Sequence, residues 1–283
     1  MARPSISART ERPTVTDGLV AVRGRRLRVQ VRRPQAPSAP PLLLLNGIGA
    51  TLDLLDPFVD ALPADREIIR LDPPGIGGSP DVLLPYHLTT FAPVVGDLVA
   101  QLGHDRVDVL GYSWGGELAQ QVAVCRPAQV RRLVLFATST GALSVPASPR
   151  MLSRFFLPRW PQDPTAALAV TADLYGGTVR THPERAAAAL AEIAEGLRRH
   201  RRGYALQLAA TVGWTSLPVL RLIRARTLVI AGTDDPIIPT ANATILGRGL
   251  PDARVHHHPG GHLAIVTEAR ELAGVAAEFL GAP

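Results

Sequence analysis

The chain has 283 residues, a length typical of one large domain or two small ones. Hydrophobic residues make up 46% of it, enough to bury a substantial core, and charged residues only 19%, which argues against a disordered chain. The net charge of +6 comes from arginines scattered through apolar segments, with no lysine in the sequence, and this pattern argues against a binding track for nucleic acid.

The cysteine content and the N-terminus exclude two further classes. Cys125 is the only cysteine, so no intramolecular disulfide can form, and its surroundings are typical of a helix interior. Residues 1–12 contain three arginines but no apolar stretch like a signal-peptide core. No apolar run reaches the roughly 18 residues that a membrane span needs. We therefore expect a cytoplasmic protein without a membrane span.

In chain order, the first predicted elements are a loose arm and a strand pair. Residues 1–17 are interpreted as the arm, and residues 19–32 alternate apolar and polar residues around Gly24, as two strands joined by a turn do. A connector rich in proline and alanine follows. The apolar run Leu42–Leu45 then predicts a strand buried on both faces, and it ends at Asn46-Gly47-Ile48-Gly49.

Alternating strands and helices continue from there. Predicted helices cover 52–62, 91–102, a segment from Trp114, 240–246 and 268–279, and predicted strands cover 67–71, 106–110, 131–136, 227–230 and 254–256. Such alternation predicts an α/β fold with a mostly parallel central sheet and helices on both faces. The interval 142–222 interrupts it with helical stretches and prolines, so we interpret 142–222 as an inserted helical lid and 18–141 with 223–283 as the core.

The strongest chemical signal is Gly111-Tyr112-Ser113-Trp114-Gly115, between a predicted strand and a predicted helix. A Gly-x-Ser-x-Gly pattern in that position forms a tight turn that exposes the serine hydroxyl above the end of the sheet. A glycine-rich turn that contains serine by chance is the structural alternative. Because the flanking strand and helix are what the motif requires, we expect Ser113 to be a nucleophile.

A serine nucleophile needs a histidine base and an acid that orients the histidine. In this type of fold the acid follows the serine in the chain, and the histidine follows the acid. The strand 228–232 leads into Thr233-Asp234-Asp235-Pro236. Asp235 is the predicted acid because it lies three residues after Gly232, and Asp234 is the alternative.

The predicted base is His262, in Pro259-Gly260-Gly261-His262 after the last strand, where the glycines let the loop fold back toward the serine. His256, His257 and His258 are consecutive. On a strand their side chains would point to opposite faces, so they cannot converge on a metal ion, and we expect no metal site and no organic cofactor. The remaining histidines have no catalytic context and are expected to be solvated.

An oxyanion hole requires two main-chain N–H donors. The residue after the nucleophile, Trp114, is expected to supply one. Ile48, in the loop after the buried strand, is expected to supply the other. Many related hydrolases have His-Gly where this sequence has Asn46-Gly47, but a main-chain donor does not depend on that side chain.

Together these motifs resemble the intracellular poly(3-hydroxyalkanoate) depolymerases that act on medium-chain-length polyesters, members of the α/β-hydrolase superfamily. The matching segments, from about residue 41 to the C-terminus, are Asn46-Gly47-Ile48-Gly49-Ala50, Pro74-Gly75-Ile76-Gly77-Gly78-Ser79, Ser113-Trp114-Gly115-Gly116, Tyr175-Gly176-Gly177, Gly213-Trp214-Thr215-Ser216, Asp235-Pro236-Ile237-Ile238-Pro239 and Gly261-His262-Leu263. The two motifs within the predicted lid contribute most, since unrelated hydrolases diverge there.

The resemblance implies hydrolysis of the polyester or its oligomers through an acyl-enzyme, without a cofactor, in the cytoplasm and on storage granules. An esterase, thioesterase or carbon–carbon bond hydrolase for a soluble molecule is the nearest alternative. A non-catalytic small-molecule receptor on the same fold is the alternative from another class.

Candidate substrate contacts are Phe155, Phe156, Trp160 and Trp214. The segment 151–160 mixes apolar side chains with arginines, which is compatible with a surface that binds a polyester granule. The alternative is that its aromatic residues pack the lid onto the core or line the acyl pocket.

Overall fold

The structure is a computed structural model that describes residues 13–156 and 164–282, with side chains described outside 154–169. The described residues contain eight strands in one sheet, in the order β1-β2-β4-β3-β5-β6-β7-β8. The strands are β1 (Thr14–Val22), β2 (Arg25–Arg33), β3 (Ala39–Leu45), β4 (Arg66–Leu71), β5 (Val107–Tyr112), β6 (Val130–Phe136), β7 (Arg226–Gly232) and β8 (Ala253–His258).

The sheet is antiparallel at one edge and parallel elsewhere. β1 and β2 form a hairpin whose turn residues Arg23 and Gly24 both have positive φ, and β2 pairs antiparallel with β4. All other pairs are parallel. In their registers Leu45 lies beside Gly111, and Gly232 lies beside His258, so the loops after β3, β5, β7 and β8 leave the sheet at one edge.

The predicted arm is too long by four residues. β1 begins at Thr14 and pairs with β2 from Thr14 opposite Arg33 onward, so residues 14–17 belong to the sheet. These four residues are all exposed, and an edge strand without a buried face shows none of the apolar alternation that identifies a strand in sequence. Residues 1–12 lie outside the described residues.

The described helices are α1 (Asp56–Ala61), α2 (Leu88–Gln101), α3 (Trp114–Cys125), α4 (Pro149–Phe156), α5 (Pro164–Tyr175), α6 (Gly177–Thr181), α7 (Ala187–Arg199), α8 (Arg201–Thr211), α9 (Ala241–Gly249), α10 (Ala264–Thr267) and α11 (Ala269–Gly281). Short 3-10 segments cover Leu52–Leu55, Pro183–Ala186 and Leu217–Leu222. No helix within the described ranges is long and apolar enough to cross a membrane.

Period-two alternation along the buried strands divides the core into two layers. Leu43 and Leu45 of β3 belong to a cluster with residues of α2, α3, α8 and α9, whereas Leu42 and Leu44 belong to a cluster with residues of α1, α10 and α11. The parallel sheet with helices on both faces confirms the predicted α/β fold. Helices α4–α8 occupy the interval between β6 and β7, where the sequence predicts the lid.

Candidate active site

Ser113 occupies the turn between β5 and α3 in a strained conformation. Its φ of 54° and ψ of −120° are rare for a residue with a β-carbon, and such strain is concentrated at functional sites. Two hydrogen bonds hold the turn: Ser113 N–H donates to the carbonyl of Phe136 at 2.9 Å, and Thr138 Oγ1 donates to the carbonyl of Ser113 at 2.7 Å. The end of β6 therefore fixes the geometry that presents the Ser113 hydroxyl.

The flanking glycines are required by close backbone packing. A β-carbon on Gly111 would clash with the carbonyl of Gly115, and one on Gly115 would clash with the carbonyl of Leu45. Without side chains at these two positions, α3 can start directly behind the serine and approach the end of β3. The Gly-x-Ser-x-Gly pattern thus has the structural basis that the sequence predicts.

His262 lies beside Ser113 and is held on both sides of its backbone. Its Nε2 is 3.1 Å from Ser113 Oγ. Its N–H donates to the carbonyl of Tyr175 at 2.8 Å, and its carbonyl accepts the hydroxyl of Tyr112 at 3.0 Å. Complete burial raises the pKa of Tyr112 well above its usual value, so this phenol stays a neutral donor.

Asp235, and not Asp234, reaches the histidine. Asp235 Oδ2 is 2.8 Å from His262 Nδ1, and its Oδ1 accepts the N–H groups of Ile237 and Ile238, each at 2.9 Å. The Asp235 side chain is only 1% exposed. The structure therefore brings together Ser113, His262 and Asp235 in one hydrogen-bonded chain, and the polar partners of Asp235 hold its second oxygen away from the imidazole.

Asp234 points elsewhere. Its carboxylate accepts Arg180 Nη1 at 2.9 Å and the N–H of Gly177 at 2.7 Å, and its side chain is 41% exposed. Asp234 thus connects the loop after β7 to α6 rather than to the imidazole.

The three consecutive histidines alternate along β8 as expected. His256 is half-buried, His257 is exposed and His258 is buried, where desolvation lowers its pKa. His258 Nδ1 accepts the N–H of Gly260 at 3.0 Å, which shapes the loop that leads to His262. The three side chains do not converge.

The two predicted oxyanion donors belong to residues that line a cavity together with Ser113. Neither the N–H of Ile48 nor that of Trp114 has an acceptor within residues 13–156 and 164–282. Trp114 is the first residue of α3, and the first N–H groups of a helix have no intrahelical partner. Both residues line a cavity that also contains Ser113, so both donors are available to an oxygen bound there.

Gln207 of α8 ties the two donor segments together, a contact that the sequence did not indicate. Its Oε1 accepts the N–H of Gly49 at 2.7 Å, next to Ile48, and its carbonyl accepts Trp114 Nε1 at 3.1 Å. Gln207 is fully buried. It therefore positions the loop after β3 relative to the start of α3.

Two cavities formed by described residues meet at Ser113, and both are lined by Ile48 and Ile237 as well. The smaller one, about 60 Å³, is adjacent to His262 and is walled by apolar and tyrosine side chains: Leu54, Leu174, Tyr175, Ile193, Leu197 and Tyr204. The larger one, about 460 Å³, extends from Ser113 past the start of α3 toward α4 and the end of α8.

Glu117 lines the larger cavity and was missed by the sequence analysis. Burial raises the pKa of its carboxyl group to about 8, against the lowering effect of a hydrogen bond from Ser139. The available signal was its position four residues after Ser113, in the first turn of the helix that begins directly behind the serine.

The Tyr175-Gly176-Gly177 motif packs directly against the loops that carry Asp235 and His262. A β-carbon on Gly176 would clash with the carbonyl of Asp234, and one on Gly177 would clash with the backbone N–H of Gly261. The segment between β6 and β7 therefore contributes to the position of the acid and of the histidine, in addition to the carbonyl of Tyr175 that holds His262.

Trp214 is not brought to the site. It is buried in the core, its Nε1 donates to Gln121 Oε1 at 2.7 Å, and it lines neither cavity. The expectation that Trp214 contacts substrate is wrong, because its ring packs in the core and its indole nitrogen is already paired there. The side chains of Phe155, Phe156 and Trp160 lie outside the described residues.

Comparisons with known proteins agree with this geometry. Residues 40–269 match the family model for the alpha/beta hydrolase fold. The chain is 40% identical over 248 residues to a poly(3-hydroxyalkanoate) depolymerase of Ectopseudomonas oleovorans, covering 88% of this chain and 87% of that protein. It is 31% identical over 228 residues to a pimeloyl-[acyl-carrier protein] methyl ester esterase of Aromatoleum aromaticum, covering 76% of this chain and 88% of that one.

Among solved structures, the enol-lactonase of Burkholderia xenovorans LB400 is similar with a TM-score of 0.80 and 24% identity, covering 94% of this chain and 100% of that chain. At that level of identity the likeness concerns the fold alone.

Proposed function

Because the chain belongs to the α/β-hydrolase family, and within it to the poly(3-hydroxyalkanoate) depolymerases, we propose that it hydrolyses carboxylic esters. The proposed reaction passes through a covalent acyl-enzyme on Ser113. The observation that carries the proposal is the hydrogen-bonded chain from Asp235 through His262 to Ser113, with distances of 2.8 Å and 3.1 Å. A serine hydroxyl is a weak nucleophile until such a base accepts its proton.

In the proposed reaction, His262 Nε2 accepts the proton of Ser113 as Oγ attacks the ester carbonyl carbon. The resulting oxyanion accepts the N–H groups of Ile48 and Trp114. When the intermediate collapses, His262 returns the proton to the departing alkoxide, and the acyl group remains on Ser113. His262 then accepts a proton from water as the water oxygen attacks the acyl carbon. When this second intermediate collapses, the bond to Ser113 Oγ breaks, His262 returns the proton to Oγ, and the acid is released.

Asp235 holds the imidazole in one tautomer during both steps. Its Oδ2 faces Nδ1, so Nδ1 carries a proton and Nε2 is free to accept one from Ser113. The two N–H donors on Oδ1 hold the carboxylate in the orientation that directs Oδ2 at the imidazole.

We propose that the substrate is a medium-chain-length poly(3-hydroxyalkanoate) or its oligomers. The relative with 40% identity is named a poly(3-hydroxyalkanoate) depolymerase, and the larger cavity has room for an extended acyl chain. Its lining also includes apolar side chains that face solvent, Val145, Leu152 and Val212, the last 73% exposed. Exposed apolar groups at the mouth of a binding site favour contact with a water-insoluble substrate.

A soluble acyl ester is the second candidate, favoured by the 31% identity to the pimeloyl-[acyl-carrier protein] methyl ester esterase. The test is turnover of 3-hydroxyalkanoate oligomers with graded side-chain length, measured beside soluble acyl esters and thioesters of matched length. Greater kcat/KM on the oligomers would support the polyester proposal, and greater kcat/KM on a soluble ester or thioester would replace it. Stoichiometric instead of catalytic consumption of every compound would contradict both.

A further inference from the structure

We propose that Glu117 is a specificity-determining residue that donates a hydrogen bond, from a protonated carboxyl group, to an oxygen on the third carbon of the acyl chain bound at Ser113. The inference rests on the proposed ester hydrolysis. It adds that the protein prefers acyl groups with an oxygen on the third carbon over unsubstituted acyl groups, and that Glu117 is responsible for this preference.

The position of Glu117 relative to Ser113 is the first support. The two residues are one helical turn apart, with the N–H of Glu117 directed at the carbonyl of Ser113 at 3.4 Å, and both line the larger cavity. Ser113 directly precedes α3 and Glu117 lies in the first turn of that helix, so an acyl group on Ser113 that extends into the larger cavity enters the space that Glu117 lines. The oxygen on the third carbon of such a group is three bonds from the carbonyl carbon.

The direction of the hydrogen bonds around Glu117 is the second support. Ser139 Oγ accepts the N–H of Gly141 at 3.2 Å, so it has its own proton to donate to Glu117 Oε1 at 3.3 Å. Oε1 is thereby the accepting oxygen of the carboxyl group, and Oε2 is left to carry the proton. Oε2 bonds to none of the described residues, which leaves its O–H for a ligand in the cavity.

The surroundings of Glu117 favour the neutral acid. The segment after β6 contributes Thr138, Ser139 and Ser144 to this cavity, and α8 contributes Thr211. None of these carries a charge, and among the described lining residues of the larger cavity Glu117 is the one that titrates in the accessible pH range. No cation lies among the described residues that line this cavity, and desolvation is the largest influence on the Glu117 carboxyl group, which raises its pKa to about 8 and favours the protonated form at neutral pH.

The acyl group is assigned to this cavity by the position of His262. The imidazole lines the smaller cavity and not the larger one. Since His262 must protonate the leaving oxygen, the alcohol departs on the side of the smaller cavity. The acyl chain then extends past Trp114 and Glu117.

The test compares methyl 3-hydroxyoctanoate with methyl octanoate, which share a leaving group and a chain length, in the full-length protein. The quantity is the ratio of their kcat/KM values. Glu117→Leu should lower the ratio about tenfold, the usual effect of losing one neutral hydrogen bond to a buried partner, whereas Glu117→Gln, whose amide keeps a donor, should retain most of it. Labelling of Ser113 by a phosphonate checks that each variant is folded.

A second measurement needs no variant. As pH rises through about 8, the carboxyl group ionises and loses its proton, so the ratio in the unaltered protein should fall, while in Glu117→Gln it should stay constant. The two esters share a leaving group and a reaction, so any other effect of pH on catalysis applies to both and cancels in the ratio.

A ratio that changes neither with Glu117→Leu nor with pH would overturn the role of Glu117 and leave ester hydrolysis intact. Absence of turnover on both esters, with Ser113 unlabelled, would instead overturn the proposed function and with it this inference.

Discussion

Replacing Asp235 by asparagine should disable the protein, and replacing Asp234 should not. Asparagine at 235 can still accept the N–H groups of Ile237 and Ile238 through its oxygen, at the 2.9 Å that the carboxylate has now. Its NH₂ group then takes the place of the carboxylate oxygen Oδ2, which lies 2.8 Å from His262 Nδ1. A donor in that position forces Nδ1 to accept, and the imidazole proton moves to Nε2.

A protonated Nε2 cannot accept the proton of Ser113. The equivalent change in a serine protease lowers kcat about 10⁴-fold, a rise of about 5 kcal/mol in the activation barrier, and we expect a loss of that order here. Asp234→Asn weakens a pair with Arg180 whose side chains are 47% and 41% exposed. Such pairs contribute about 0–1 kcal/mol to stability, so kcat should stay within about threefold.

The assay is kcat on a soluble ester for both variants, with thermal unfolding to check that each is folded. Greater damage from Asp234→Asn would mean that the acid is one residue earlier than the structure indicates. Retention of more than a tenth of kcat in Asp235→Asn would refute the tautomer argument itself.

Three further perturbations test other parts of the account. Gln207→Leu removes the acceptor for the N–H of Gly49, so the loop that supplies one oxyanion donor is no longer held in place. This variant should lower kcat about tenfold or more with a smaller change in KM. Gln207→Glu keeps an acceptor and should retain more of kcat than Gln207→Leu. Val212→Ser should weaken sedimentation with polyester particles more than Val15→Ser, a matched change at an exposed site on β1 remote from the cavity, and equal effects would argue against contact at the cavity mouth. Glu117→Gln should raise the free energy of unfolding at pH 7 by up to about 3 kcal/mol in denaturant titrations. The pKa of Glu117 in the folded protein, about 8, lies above the unfolded value, so the destabilisation by Glu117 is absent below about pH 4, grows as pH rises and is complete above about pH 8. A gain in stability that does not depend on pH would contradict this prediction.

The elements nearest the reaction were predicted well from the sequence because their information is local. The Gly-x-Ser-x-Gly pattern requires two residues without β-carbons at fixed distance from a strand, and the structure shows the backbone contacts that explain both. The same applies to the apolar run Leu42–Leu45, whose alternate residues face the two layers of the core. Short-range steric contacts and period-two burial both depend on residues that are close together in the sequence, so a single segment is enough to predict them.

Contacts between distant parts of the chain could not be predicted. Gln207 reaches Gly49 across 158 residues, and its sequence context is an ordinary helix. Glu117 likewise looks like a solvated residue in the first turn of α3 until the segments after β6 and from α8 are seen to enclose it. Tertiary packing, which the pattern of one segment does not contain, determines both roles.

The expectation for Trp214 failed for a related reason. A motif that resembles a family's can be retained for packing as readily as for binding, and the sequence does not say which way an indole points. In the structure Gln121 accepts its nitrogen, and the neighbouring Ser216 Oγ donates to Gln120 Oε1 at 2.6 Å. The motif thus anchors the segment between β6 and β7 to α3.

The central claim is that Ser113 forms a covalent acyl-enzyme, and the most direct measurement is intact-mass analysis after treatment with a serine-directed phosphonate, for the unaltered protein and for Ser113→Ala. The unaltered protein should gain one adduct, mapped to the peptide that contains Ser113, and lose all esterase activity in parallel. Ser113→Ala should gain none and should turn over esters about 10⁶-fold more slowly. An adduct that persists in Ser113→Ala, or turnover that survives the substitution, would contradict the account.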